Sequence, residues 1–215
     1  QIERGERIAV LGPNGSGKST LLRLITGKEE PLDGSVKLGN YNVKPAYFEQ
    51  NQAEALDLTK TVFDTIADAV PQWKTEEVRA LLGRFLFSGD AAFKKVESLS
   101  GGEKARLALA KMLLGANNFL ILDEPTNHLD IPAKETLEEA LKNFDGTVVV
   151  ISHDRYFISQ IATKIVEIQD GQLVLYHGNY QYYLELKAEQ KERALRAREE
   201  AERLAQLEAK RAKEK

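Results

Sequence analysis

The sequence of 215 residues contains no cysteine, and it contains only one methionine and one tryptophan. Without cysteine no disulfide framework can form, and such a composition suits a reducing compartment. Long hydrophobic runs are also missing, because the longest apolar runs, at 119–122 and 147–151, have only the length of a β-strand. The first residues show no charged-then-apolar signal pattern. We therefore expect no part of this sequence to insert into a membrane.

Charge of one sign is not in large excess. Charged residues make up 29% of the sequence, hydrophobic residues make up 42%, and the formal net charge is -3. These values are ordinary for a globular domain in water and give no overall field that would attract nucleic acid. Only the segment 187–215 is locally basic, with ten lysines and arginines against seven glutamates. Because the sequence starts at Gln1 and not at methionine, we expect it to belong to a longer polypeptide.

The first half of the sequence predicts a strand, a helix, a hairpin and a helical region. Apolar residues predict a strand at 7–11 and a helix at 18–25, which Gly27 is placed to end. Segments 35–38 and 45–48, joined through Gly39 and Asn40, are typical of a small antiparallel hairpin. From 59 to 116 apolar residues recur every three or four positions, which predicts a helical subdomain.

The second half predicts a parallel sheet. Strands at 119–122 and 147–151 are separated by a helix at 132–144, and such a crossover implies parallel strands covered on both faces. Segments 164–168 and 173–176 flank Asp170 and Gly171, a strong two-residue hairpin signal. After Tyr183 the composition predicts one long charged helix. We therefore predict an α/β domain over 1–186 and a charged helical tail over 187–215.

A glycine-rich loop follows the first predicted strand. A triphosphate requires many N–H donors on a concave surface, and glycines let the backbone approach closely while the next helix adds its dipole. Lys18 is expected to reach the β- and γ-phosphates, and the Ser19 hydroxyl is expected to bind Mg²⁺. The alternative is a glycine-rich turn without a ligand, which the order of strand, loop and helix disfavours. The candidate ATP-binding residues are Gly12, Pro13, Asn14, Gly15, Ser16, Gly17, Lys18, Ser19 and Thr20.

Two carboxylates close the strand at 119–122. Asp123 is placed at the carboxyl edge of the predicted sheet, beside the glycine-rich loop, where it can hold Mg²⁺. Glu124 follows directly and could orient and polarise an attacking water. The alternative is that both residues only cap the next turn, and the loop upstream makes this alternative less attractive.

A second anion site is predicted at Ser100, Gly101 and Gly102. These residues precede a helix that starts near Glu103, so their N–H groups and the positive end of the helix face one point. A plain helix N-cap, with Ser100 and Glu103 forming a capping box, explains the same residues, and both interpretations can hold. His153 lies just after the strand at 147–151, following Ser152, and a lone histidine there is more often structural.

The order of these motifs resembles the ATP-binding cassette (ABC) family. The loop at 12–19 is followed by Leu99-Ser100-Gly101-Gly102-Glu103 and then by Phe119-Leu120-Ile121-Leu122-Asp123-Glu124. The resemblance implies a P-loop NTPase fold and hydrolysis of ATP with Mg²⁺. It implies that His153 contacts the γ-phosphate and that Gln50, in Tyr47-Phe48-Glu49-Gln50, contacts Mg²⁺ and water. It also implies that Ser100, Gly101 and Gly102 bind ATP held by a second cassette, either in the same full-length chain or in a homodimer.

Further sequence motifs resemble those of the ABC-F branch of this family. The segments 98–106, 122–130 and 151–157, and the ending His177-Gly178-Asn179-Tyr180, are similar to that branch. The resemblance implies a factor without membrane domains that acts on the ribosome, in the cytoplasm or in an organelle stroma or matrix. The short segment 33–50 and the tail after Tyr183 favour the second cassette of such a chain.

Three other functions stay open at this stage. The first is the ATPase subunit of a membrane transporter, the second is a DNA-binding repair-type clamp, and the third is a regulatory cassette without useful hydrolysis. A clamp usually has a long coiled coil between the phosphate loop and the signature, and 20–98 has none. Intact Glu124 and His153 argue against the regulatory cassette. The tail could touch ribosomal RNA phosphates, or it could be a solvated helix, which its mixed charges favour.

Overall fold

Six strands form one sheet in the computed structural model, which describes residues 1–39, 41–49, 52–127 and 129–213. The sheet has the order β2-β3-β4-β1-β5-β6, and every neighbouring pair is parallel except β5 and β6. The prediction of a mainly parallel α/β sheet is therefore confirmed. The strands are β1 (Arg7–Leu11), β2 (Pro45–Phe48), β3 (Phe119–Asp123), β4 (Thr147–Ile151), β5 (Lys164–Gln169) and β6 (Gln172–Tyr176).

Seven helices cover the sheet or extend from it in the described part of the chain. Their bounds are α1 (Lys18–Ile25), α2 (Val62–Ala67), α3 (Thr75–Arg84), α4 (Gly101–Leu113), α5 (Ile131–Lys142), α6 (Arg155–Ile161) and α7 (Tyr180–Lys213). Short 3₁₀ turns lie at 52–55, 89–93 and 96–98. Helices α2 to α4 fall within the predicted helical region. Helix α3 ends at Arg84, and Leu86 has left-handed backbone with a φ of 63°.

Alternation along the central strands divides the core between the two faces of the sheet. Ile8 and Val10 of β1 pack with Leu22, the buried residue of α1, on one face. Ala9 belongs to the larger cluster on the other face, which also contains Phe157 of α6. A strand that is apolar on both sides must lie inside a covered sheet. This burial fixes where the carboxyl ends of β1, β3 and β4 emerge, and these three ends carry the site described below.

The predicted antiparallel hairpin between 35–38 and 45–48 is wrong. The described residues at 34–39 form no strand, and β2 pairs instead with β3 in parallel register, Phe48 beside Leu122. The physical reason is burial. As an edge strand of the main sheet, β2 places Phe48 in the large core and packs Tyr47 against the opposite cluster, whereas Val36 and Leu38 stay exposed. No small antiparallel β-subdomain is therefore present in the described residues, and Asn40 lies outside them.

The predicted hairpin at Asp170 and Gly171 is confirmed. Both residues have positive φ, 50° and 76°, as a type I′ turn requires, and β5 and β6 pair antiparallel on either side. Glu167 of β5 then anchors the start of α7. Its carboxylate accepts hydrogen bonds from the Tyr176 hydroxyl (2.9 Å), the Tyr183 hydroxyl (3.0 Å) and Lys187 Nζ (3.1 Å).

Helix α7 is one charged helix, and it begins at Tyr180, before the predicted boundary at 187. Glutamates and arginines four residues apart pair along its surface, as in Glu192–Arg196 and Arg198–Glu202. Such pairs neutralise charge within the helix, which supports the solvated interpretation of the tail over an RNA-binding arm. No helix in the described ranges is both long enough and apolar enough to span a bilayer.

Candidate functional site

The candidate site is a cleft at the carboxyl ends of β1, β3 and β4. Parallel α/β sheets bind ligands at this edge, because loops that leave adjacent strands diverge there. The cleft has a volume of about 430 Å³. Its lining residues are Asn14, Gly15, Lys18, Ser19, Arg23, Tyr47, Glu49, Asp123, Glu124, Ile151 and His153.

The predicted phosphate loop forms one wall of this cleft. Gly12 has a φ of 152°, and a Cβ there would lie 2.8 Å from Ser16 Oγ and 3.0 Å from the Ile168 carbonyl oxygen. Gly17, with a φ of 93°, provides the left-handed residue before α1. Glycine is therefore required at Gly12 both by backbone conformation and by space. Pro13 accepts a hydrogen bond from the Ser16 N–H (3.2 Å), which closes the loop.

Lys18 carries the fixed positive charge of the loop. Its Nζ donates to the carbonyl oxygens of Gly12 (2.9 Å) and Pro13 (2.8 Å), so the ammonium lies over the concave face of the loop. Ser19 lines the same cleft. Thr20 is not among the residues that line the cleft, and its Oγ1 accepts a hydrogen bond from Arg23 Nη2 (3.2 Å).

Asp123 ends β3 opposite the loop. It is buried, and its Oδ2 lies 3.5 Å from the Tyr47 hydroxyl oxygen, the outer limit of a hydrogen bond. Burial, followed by the negative charge of Asp123, raises the pKa of Tyr47 to about 12. Tyr47 therefore stays neutral at ordinary pH, and its hydroxyl can donate a hydrogen bond to the Asp123 carboxylate.

Glu124 is held in an unusual position. Its φ of 51° is left-handed, an uncommon and strained conformation for a residue with a side chain, and its N–H donates to the Ile151 carbonyl oxygen (2.9 Å). The side chain is 8% exposed. Oε2 accepts a hydrogen bond from the His153 N–H (3.3 Å). Among the described residues, the buried Oε1 has no hydrogen-bond partner.

Burial raises the pKa of Glu124, and the His153 N–H and side chain oppose that rise. A carboxylate with one oxygen fixed and the other unpartnered is suited to accept a proton from a small molecule. His153 stands over it with a side chain that is 65% exposed, and Nε2 lies 3.5 Å from Glu124 Oε1. This distance is too long for a strong hydrogen bond.

The loop that carries His153 has its own supports. Ser152 is buried, and its Oγ accepts from the Asp154 N–H (3.1 Å) and lies 3.1 Å from Thr126 Oγ1. Asp154 caps α6 through the Phe157 N–H and pairs with Lys134 Nζ (2.7 Å). Burial alone would raise the pKa of Asp154, but Lys134 and the Phe157 N–H outweigh it, so the pKa lies below the usual value.

Ser100 and Gly102 lie away from this cleft. They line a second cleft of about 420 Å³ with Glu103, Arg106, Leu129 and Asp130, and the two clefts share no lining residue. The capping box is present: Ser100 N–H donates to Glu103 Oε2 (2.8 Å), and Glu103 N–H donates to Ser100 Oγ (3.3 Å). A Cβ on Gly101 would meet no atom within 4 Å, so its surface is open.

The first cleft fits a magnesium-bound triphosphate. Lys18 and the glycine backbone suit phosphate oxygens, and the Ser19 hydroxyl and Asp123 carboxylate are the oxygen donors that Mg²⁺ prefers. No cluster of three or more histidine, aspartate or glutamate side chains that could hold a metal occurs in the part of the chain that the structure describes. Mg²⁺ would therefore take its remaining ligands from phosphate and water, as it commonly does.

Several lining residues were not predicted from the sequence. Arg23, Tyr47 and Glu49 belong to the cleft, and Lys28 pairs with Glu49 and lies 4.8 Å from the centre of the Tyr47 ring. Side chains alternate along β2, so Tyr47 points away from the buried Phe48. This alternation is the sequence pattern that could have predicted Tyr47 as a lining residue. Gln50, predicted as a catalytic and metal-binding residue, lies outside the described residues.

A family model described as "ABC transporter" matches residues 1–127, and a second model with the same description matches 166–214. The chain belongs to the ABC transporter family. Its ABC-F character is also confirmed: ABC transporter F family member 2 of Arabidopsis thaliana is 55% identical over 94% of this chain and 30% of its own length.

Two other relatives are informative. The energy-dependent translational throttle protein EttA of Escherichia coli K12 is 44% identical over 86% of this chain and 34% of its own length. A solved structure of RNase-L inhibitor matches 77% of this chain with a TM-score of 0.65 and 28% identity, and the match covers 32% of that protein. The chain thus spans about a third of the length of the curated relatives that it matches. The predicted ABC cassette fold is confirmed.

Proposed function

We propose that this chain is the second ATP-hydrolysing cassette of an ABC-F translation factor. The observation that carries the proposal is the unpartnered, buried Glu124 Oε1 in the same cleft as Lys18 and Ser19. The relative named as a translational throttle protein supports a role on the ribosome. The short connection between α1 and β2 leaves no room for a helical arm, which supports the second cassette. We place the activity in the cytoplasm or in the stroma or matrix of an organelle.

Each residue of the nucleotide site has its own role in the proposed hydrolysis. Lys18 and the loop at 12–17 bind the β- and γ-phosphates and hold them in line for attack. Ser19 and Asp123, with Gln50, would hold Mg²⁺, which neutralises charge that develops on the phosphates. Glu124 orients the attacking water and accepts its proton through Oε1. His153, exposed above Glu124, contacts the γ-phosphate and reports its presence to the loop between β4 and α6.

The separation of the two clefts supports completion of the site by a second cassette. Ser100, Gly101 and Gly102 present N–H groups at the start of α4, where an anion is favoured, yet they share no cleft with Lys18. A nucleotide bound by Lys18 would therefore meet the equivalent corner of a second cassette. ATP closes the two cassettes, and hydrolysis removes the γ-phosphate that links them.

Co-sedimentation with ribosomes tests the translation role. The full-length Glu124→Gln protein should pellet with ribosomes when Mg-ATP is present and should remain in the supernatant with Mg-ADP, because ATP that is bound but not hydrolysed keeps the cassettes closed. The matched control is the Lys18→Met, Glu124→Gln double variant, which should not pellet with either nucleotide. A Glu124→Gln protein that binds ATP but never pellets contradicts the ribosomal role. Co-purification with transmembrane subunits would instead support a transporter.

A further inference from the structure

The loop between β4 and α6 contains only Ser152, His153 and Asp154. Because the His153 side chain is 65% exposed, packing of the imidazole itself does not fix its position. Its main-chain N–H donates to Glu124 Oε2 (3.3 Å). The placement of the imidazole therefore depends on how firmly Ser152 and Asp154 hold the backbone on either side of it.

Asp154 uses both of its carboxylate oxygens. Oδ1 accepts from the Phe157 N–H (3.1 Å) and caps α6. Oδ2 accepts from Lys134 Nζ (2.7 Å). The side chains of Lys134 and Asp154 are only 31% and 21% exposed. A short, charge-assisted contact between partly buried groups holds its two partners together more strongly than a surface ion pair does, because solvent screens the surface pair.

Lys134 joins Asp154 to the other catalytic loop. It lies in the first turn of α5, which starts after the Asp130 N-cap, and the segment between Glu124 and Asp130 leads directly into that cap. The ion pair therefore connects the segment that carries Glu124 with the loop that carries His153. A second contact, Thr126 Oγ1 to Ser152 Oγ (3.1 Å), joins the same two segments.

We propose that Lys134 is a positioning residue for His153: its ion pair with Asp154 fixes the loop between β4 and α6 and so sets the position of the imidazole relative to Glu124. This inference rests on the proposed function, in which His153 contacts the γ-phosphate. Lys134 does not line the nucleotide cleft, so its removal should change turnover and not binding. Displacement of a catalytic group by about 1 Å can lower a rate by about a hundredfold.

The chain offers a matched control two turns further along α5. Lys142 also bridges α5 to α6, through a hydrogen bond from its Nζ to Gln160 Oε1 (2.9 Å). This contact is on the same pair of helices but lies far along α6 from His153. Loss of Lys142 therefore reproduces the loss of a lysine bridge between α5 and α6 without releasing the His153 loop.

The test measures steady-state ATP hydrolysis and mant-ATP affinity of the full-length protein. Lys134→Met should lower kcat by about tenfold or more, with mant-ATP affinity within about twofold of wild type. Lys134→Arg should restore kcat to within about threefold of wild type, because the guanidinium can reach the same carboxylate. Lys142→Met should leave kcat unchanged.

A double-variant cycle separates positioning from a general structural effect. In a His153→Ala background, Lys134→Met should cause no further loss of kcat, since its effect passes through the imidazole. An equal loss in both backgrounds, or an equal loss in Lys142→Met, would overturn the inference. A wild-type kcat in the Lys134→Met variant would overturn the inference about Lys134 and leave the proposed function intact. A wild-type protein that binds mant-ATP but does not hydrolyse ATP would overturn the proposed function as well.

Discussion

Glu124→Gln is expected to lower the ATP turnover of the full-length protein by about 10²- to 10⁴-fold, the usual contribution of a positioned base. Affinity for ATP should stay within about twofold. The amide keeps the shape of the side chain and can still accept from the His153 N–H, but it cannot take a proton from water. The reason for a selective effect is geometric: Oε1 is the buried, unpartnered atom, while Oε2 is committed to the backbone.

The measurement is release of inorganic phosphate at saturating ATP, paired with mant-ATP titration of the same preparation. Glu139→Gln is the matched control, because Glu139 is an exposed glutamate on α5 that does not line the cleft. Its turnover should equal that of wild type. Wild-type phosphate release by Glu124→Gln would show that another group activates the water, and the role of Glu124 would have to be abandoned.

Phe157→Ala is expected to destabilise the cassette by about 3–5 kcal/mol, the range for truncating a buried phenylalanine. Phe157 is 0% exposed and belongs to the larger core cluster. Its N–H also donates to Asp154, which is the N-cap of α6. Helix α6 therefore begins directly after the His153 loop. Truncation removes apolar contact area and leaves a cavity behind that loop.

Chemical denaturation measures this effect, and the neighbouring residue provides the control. The Tyr156 side chain is exposed, so Tyr156→Ala should change the free energy of unfolding by no more than about 0.5 kcal/mol. If both variants lose the same stability, then α6 is not held through Phe157. In that case the packing described behind the His153 loop is incorrect.

The sequence predicted best where local chemistry and fold agree. The loop at 12–17 lies between a strand and a helix whose bounds match the prediction, because glycines at positive φ and an apolar β1 allow few alternatives. Asp170 and Gly171 likewise form the expected turn. The segment at 45–48 was placed wrongly because its pattern is compatible with either a hairpin or an edge strand. The choice between a hairpin and an edge strand depends on pairing with β3, and β3 is distant in sequence.

Contacts between distant segments were invisible to motif analysis. Lys134 and Asp154 are twenty residues apart, and each alone is an ordinary charged residue next to a helix start. Tyr47 and Asp123 meet only because β2 pairs with β3. The role of His153 came from family resemblance, and the role of Glu124 came from its place after an apolar strand. The structure adds what neither supplies: one carboxylate oxygen of Glu124 accepts from the backbone, and the other is left without a hydrogen-bond partner.

We propose that the nucleotide site in this chain is half of a complete site. Sedimentation velocity of the 215-residue chain with Glu124→Gln tests it most directly. With saturating Mg-ATP the chain should sediment as a dimer and with Mg-ADP as a monomer, and adding Ser100→Arg should abolish the dimer without changing mant-ATP affinity. A chain that stays monomeric with ATP bound, or a dimer that Ser100→Arg does not affect, would contradict the account.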